Sequence, residues 1–177
     1  VGTYQAATGQ TSCDDASAGY YVDITGQSSQ TVCATGTYQP VIGQSSCDEV
    51  DAGYHVPTIG ESWYTPCLAG TSQPLTGQAS CDNAEPGYYV DQISQTSQTP
   101  CLAGTYQPST GQSACTYASP GYYVPITAQS IQTECLVGTF QPLTGQSFCD
   151  DAEPGYYVDQ IGQISQIPCS VGTYNPN

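Results

Sequence analysis

CLAGTYQPSTGQSAC, residues 101–115, is followed directly by TYASPGYYVPITAQSIQTEC, residues 116–135. After the glycine the two pieces spell one phrase twice, GTYQPSTGQS against GYYVPITAQS, yet only the first copy is bracketed by cysteines. The glycines carry the period outward in both directions. Gly2, Gly19, Gly36, Gly53, Gly70, Gly87, Gly104, Gly121, Gly138, Gly155 and Gly172 are each seventeen residues apart. Two residues after most of them stands an aromatic: Tyr4, Tyr21, Tyr38, Tyr89, Tyr106, Tyr123, Phe140, Tyr157 and Tyr174. Eight residues after most of them stands Gln, as at Gln10, Gln27, Gln44, Gln78, Gln95, Gln112, Gln129, Gln146 and Gln163. A fixed period of this length marks a repeat architecture, in which each unit buries its face only against its neighbours.

The cysteines double that period. Their gaps alternate between 20 and 14 residues, a 34-residue repeat made of two seventeen-residue modules. Aligned modules place Ala118 opposite Cys101 and Gln132 opposite Cys115. The same holds for Ala16 with Gln30, Val50 with Tyr64, Ala84 with Gln98 and Ala152 with Gln166. Every second module therefore lacks both cysteines together, as a bonded pair would be lost. This favours Cys33–Cys47, Cys67–Cys81, Cys101–Cys115 and Cys135–Cys149, with each loop contributing about 3 kcal/mol in the chain-entropy account. Cys13 and Cys169 then need partners outside the chain or in a neighbouring chain. The rival pairing spans the 20-residue gaps, Cys13–Cys33, Cys47–Cys67 and onward, and satisfies all ten cysteines internally. The module boundaries are a partial unit 1–15, full units 16–32, 33–49, 50–66, 67–83, 84–100, 101–117, 118–134, 135–151 and 152–168, and a partial unit 169–177.

Composition agrees with small stapled units. Leu, Ile, Val and Phe make up only 27 of 177 residues, and the net charge is −15 with no Lys or Arg. Such a chain would be disordered without help, and ten cysteines with fifteen tyrosines supply it. An even cysteine count at regular spacing points to an oxidising, extracellular compartment. No CxxC occurs and there is one histidine, His55, which argues against structural zinc. No apolar run approaches the ~20 residues of a membrane helix. A wholly anionic chain repels nucleic acid, so no nucleic-acid partner and no membrane insertion are expected.

The phrase C-x2-G-T-Y-Q-P-x-T-G-Q-S-x-C resembles the ephrin-receptor-like cysteine-rich repeats and the single-disulfide modules of tumour-necrosis-factor-receptor ectodomains. Cys101-Leu-Ala-Gly-Thr-Tyr and Cys115 match the first module of those families; the next family cysteine would fall at Ala118, where the sequence departs. The resemblance implies β-hairpin modules strung end to end in an elongated rod and carries over no ligand.

The expected fold is therefore all-β, small and disulfide-rich, a rod of tandem seventeen-residue hairpins with little or no helix. GTYQP and GYYVD or GYYVP read as strands that pair, with PSTGQ, PLTGQ and DITGQ as the turns. Ten modules would span on the order of 100 Å at ~3.3 Å per residue. The tyrosines are expected to form the small cores, and the recurrent glycine to sit at positive φ or at a close chain approach.

Few residues invite chemistry. Asp14, Asp15, Asp48, Glu49, Asp150 and Asp151 are candidate calcium ligands, set against the plainer reading of a solvated acidic surface. In one module His55 replaces the aromatic, and Trp63 and Tyr64 replace Ser and Gln; this is a candidate recognition spot, set against repeat drift. No nucleophile or acid–base constellation surrounds His55, so neither an enzyme nor a small-molecule substrate is expected. N-x-[ST] sequons are absent, while the Ser- and Thr-rich turns could carry O-linked glycans. These readings converge on a non-catalytic extracellular structural repeat protein that self-associates into a filament, fibril or surface appendage of the flagellar-hair or sheath kind. The alternative is the stalk or ligand-binding ectodomain of a receptor or adhesin.

Overall fold

The computed structural model describes residues 1–172, so Tyr174 and most of the last partial module lie outside the described residues. The described chain has no helix. It consists of ten two-stranded antiparallel hairpins built from two-residue strands, running from Thr3–Tyr4 to Ile167–Pro168. Each seventeen-residue module holds one hairpin, and residues 1–15 hold another. Contacts divide the chain into two units, Val1–Asn83 with Gln92–Ser97, and Ala84–Asp91 with Gln98–Asn177.

The first strand of each hairpin lies where the aromatic phrase places it, as Thr37–Tyr38 or Tyr88–Tyr89. Its partner differs from the expectation. Strand Thr37–Tyr38 pairs not with the next module's Tyr54–His55 but with Asp48–Glu49 of its own module, in the register Thr37↔Glu49 and Tyr38↔Asp48. The second strands are mostly acidic or proline-bearing pairs, such as Asp14–Asp15, Asp48–Glu49, Asp82–Asn83 and Thr65–Pro66. Asp, Asn and Pro are depleted in strands, so propensity hides them. They pair because the residue just before each is pulled towards the module's first residue, as the next subsection describes.

The strands are short because turns crowd both sides. Within each of the two units, successive full modules are tied by four backbone hydrogen bonds that recur with the period. Between modules 16–32 and 33–49, Gly19 N–H donates to Gln39 C=O (2.8 Å) and Val22 N–H to Gln44 C=O (3.0 Å). In return Cys33 N–H donates to Gly19 C=O (2.9 Å) and Gly43 N–H to Ala16 C=O (2.8 Å). The same four bonds link 33–49 to 50–66 and 118–134 to 135–151. Loop backbone that would otherwise be unsatisfied is thus paired by the neighbouring module.

In each unit the core is built of single small residues contributed by every module, and it is not made of tyrosine. Ala16, Val50, Ala84 and Ala118 alternate with Cys33, Cys67, Cys101 and Cys135 at the first module position, all 0–1% exposed. Val22, Val56, Val90 and Val124, 0–2% exposed, fill the seventh position of alternate modules. In the intervening modules that place is taken by Gln39, Gln73, Gln107 and Gln141, 2–7% exposed. Most first-strand tyrosines stand half-buried, and Tyr117, Tyr156 and Tyr157 are exposed; an aromatic ring on a two-residue strand has no second sheet to close over it. The fourth-position glycine explains the tight stacking. At Gly36 φ is +78°, and a Cβ would sit 2.0 Å from the carbonyl oxygen of Gly77, two modules on.

Candidate functional site

The junction within each module is where the chemistry of this chain is concentrated. The structure joins Cys33–Cys47, Cys67–Cys81, Cys101–Cys115 and Cys135–Cys149, with Cα–Cα distances of 5.7–5.8 Å, and none of the 20-residue pairings occurs among the described residues. Each bridge ties the module's buried first residue to the residue that opens its second strand. Cys13 and Cys169 have no disulfide partner in this structure.

Modules without cysteines make the same tie by hydrogen bond. Gln30 Oε1 accepts from Ser17 N–H, Gln132 Oε1 from Ser119 N–H, Gln98 Oε1 from Glu85 N–H and Gln166 Oε1 from Glu153 N–H, each at 2.7 Å. Gln98 and Gln166 also donate through Nε2 to the carboxylates of Glu85 and Glu153 (3.2 Å). The glutamine that stands for one cysteine thus reaches the backbone beside the alanine that stands for the other.

The disulfide modules carry a second glutamine device. Gln141 donates from Nε2 to Phe148 C=O (3.0 Å) and accepts at Oε1 from Leu143 N–H (3.1 Å), cross-bracing its loop. Gln39, Gln73 and Gln107 repeat both bonds. Among the described residues no buried side-chain nitrogen or oxygen lacks a partner, which is why a polar core is tolerated here. Sequence reading missed this role of Gln; its signal was the correlation of Gln with Cys and of Val with Gln at the two positions.

One module departs. With Val50 buried and Tyr64 in the glutamine's place, the Tyr64 ring meets Tyr38 and Tyr54 edge to face, both at 5.0 Å between centroids, a favourable aromatic geometry. Burial, then Tyr64, then the carboxylates of Asp48 and Asp51 raise the Tyr38 phenol above its ordinary pKa. Elsewhere Tyr122 donates to Glu134 Oε1 (2.9 Å), and that bond followed by the carboxylate's charge raises its pKa too. Trp63 projects into solvent, 64% exposed. His55 lies apart from both of these rings' contacts, with Nδ1 3.2 Å from Cys81 Sγ. Within the candidate recognition spot the three side chains therefore do three different things.

Asp14, Asp15, Asp48, Glu49, Asp150 and Asp151 are exposed residues of the second strands. Neighbours on a strand point to opposite faces, so each pair diverges instead of converging on one ion. Glu49 reaches the module two places on, where Oε2 accepts from Thr76 Oγ1 (3.3 Å). The one metal-sized cluster among the described residues is His55, Cys67 and Cys81, whose ligand atoms lie within 4.8 Å of one another. Its two sulfurs are bonded together and are not thiolates, so the oxidised site cannot ligate.

No protein-family model matches the chain and no curated protein resembles it. Four disulfides fit an oxidising compartment, and no helix among the described residues is long and apolar enough to cross a membrane.

Proposed function

We propose that this chain is a non-catalytic extracellular structural protein, a subunit or segment of a filament, fibril or surface appendage. The observation that carries the reading is the recurrent junction: within each unit the same four backbone bonds link successive full modules, and a covalent or amide staple closes every full module except 50–66, where Tyr64 stands. A surface specialised for one ligand would break that uniformity; a load-carrying repeat needs it. Cys13 and Cys169 add support. Cys169 occupies the buried-residue position of the staple and Cys13 the strand-opening position, so the two are complementary halves of one staple, able to join copies of this chain or adjoining segments. The ephrin-receptor-like resemblance belongs to the same reading, as a likeness of short stapled hairpins.

Electron microscopy of native material, beside non-reducing electrophoresis of the purified chain, tests it. Filaments, and a disulfide-linked multimer series that Cys13→Ser reduces to single chains, are the expected result. Monodisperse single chains under oxidising conditions would overturn it. The exposed Trp63 favours one second reading, a ligand-binding stalk. Loss of partner capture in Trp63→Ala, with the fold intact, would move the function there.

A further inference from the structure

Each of three disulfides opens onto a cleft of one design. The cleft beside Cys115, about 400 Å³, is lined by Tyr89, Leu102 and Thr105. That beside Cys149, about 260 Å³, is lined by Tyr123, Leu136 and Thr139. The cleft beside Cys81, about 360 Å³, is lined by His55, Leu68 and Thr71. The repeat thus builds the same apolar opening next to the half-buried sulfur three times. In one of them an imidazole replaces the phenol, and its Nδ1 lies 3.2 Å from that sulfur. The partner sulfur, on Cys67, belongs to a fully buried residue, yet all three reactive atoms lie within 4.8 Å.

We propose that Cys67–Cys81 is a thiol-exchange site: a small uncharged or cationic thiol enters this cleft, loses its proton to His55, and forms a mixed disulfide with Cys81. The step balances without another reactant. The unprotonated ring nitrogen of the neutral imidazole takes the S–H proton; the resulting thiolate, the reactive form, attacks Cys81 Sγ; the Cys67–Cys81 bond breaks, its electron pair leaving on Cys67 Sγ; and the imidazolium returns the proton there. One thiol is consumed, one S–S bond is exchanged for another, and Cys67 ends as a thiol.

Attack is directed to Cys81 because that sulfur faces the cleft while Cys67 is enclosed. Histidine is the side chain able both to accept and to return a proton near neutrality, and a phenol is not a base there. Tyr89 and Tyr123 therefore leave their disulfides without a proton shuttle. The chain's charge of −15 selects against anionic thiols. None of this depends on the filament reading.

The test uses the full chain with Cys13 and Cys169 first blocked by a maleimide. It is then exposed to 2-mercaptoethanol at pH 7, acid-quenched, alkylated and mapped by mass spectrometry. Cys67–Cys81 should open at least ~10-fold faster than Cys101–Cys115, within the range of general acid–base assistance, with the adduct on Cys81. His55→Tyr installs the residue the other clefts already hold and should bring the rate down to theirs. The reciprocal Tyr89→His should raise the rate at Cys101–Cys115 while far-ultraviolet dichroism stays unchanged. 2-Mercaptoethanesulfonate should react more slowly than cysteamine. Equal rates at the four bonds, an unchanged rate in His55→Tyr, or an adduct on Cys67 would overturn the proposal.

Discussion

At the scale of single residues, two glycine classes that look alike in the sequence have different physical reasons. Gly36 and Gly26 share a φ of +78°. Around Gly26 a Cβ would meet nothing within 4 Å, whereas at Gly36 it would strike the Gly77 carbonyl oxygen at 2.0 Å. Gly26→Ala should cost only the left-handed penalty, about 1–2 kcal/mol. Gly36→Ala adds a backbone collision with a module two places on, and should cost about 3 kcal/mol or more by analogy with other strained backbone substitutions. Urea midpoints of the two variants compare them directly; equal losses would mean the close approach is unimportant. The eleventh module position offers the opposite experiment. Most modules place Gly there, but Ser94 and Ala128 hold the same conformation at φ +59°. Ala128→Gly should relieve that strain and stabilise by up to about 1 kcal/mol. A lower urea midpoint in that variant would count against the strain argument.

At the scale of the hairpin, the disulfide and the glutamine bridge are interchangeable parts. Ala118, 0% exposed, stands where Cys101 stands in the preceding module, and Gln132 stands where Cys115 does. The double variant Ala118→Cys with Gln132→Cys should close a fifth bridge, because the paired positions of the four existing ones lie 5.7–5.8 Å apart, well inside disulfide reach. A mass loss of about two daltons and protection from alkylation would report it, with a gain of up to about 3 kcal/mol for a loop of this length. Gln132→Ala alone should cost about 1 kcal/mol through the lost bond to Ser119 N–H. Free thiols in the double variant would mean the two kinds of module differ in backbone. This equivalence also shows what was legible in the sequence. Periodicity revealed the module, the first strand and the alternation of stapled with unstapled units, because those depend on where residues recur. It did not reveal depth. The aromatic of Tyr38 recurs in most modules and Gln39 only in alternate ones, yet the polar residue is the buried one, and only the two loop bonds made by its amide explain why. The second strands, such as Asp48–Glu49, were hidden for a related reason: a staple places them and propensity does not.

At the scale of the whole molecule, the charge has no internal answer. Fifteen carboxylates stand against one histidine and no Lys or Arg, so the carboxylates along the modules repel one another and no side-chain cation offsets them. Staples and backbone bonds hold those charges in a fixed array, whereas unfolding lets them move apart. Stability should therefore rise with ionic strength. Going from ~10 mM to ~100 mM salt shortens the screening length from about 30 Å to about 10 Å, so repulsion between neighbouring modules weakens first between the more distant pairs. The expected result is a thermal midpoint that climbs over this range and then levels off, equally in sodium and potassium chloride, since the effect is screening and not ion binding. Magnesium or calcium at matched ionic strength separates the two causes. An excess gain with either divalent ion would mean that acidic pairs such as Asp14 and Asp15 bind it. A midpoint that falls with salt would mean that hydrogen-bonded carboxylates such as Glu49 and Glu134 contribute more than the summed repulsion costs. Because successive full modules within each unit meet through the same four backbone bonds, screening should act at each of those junctions, and the gain should grow with the number of modules left in truncated chains.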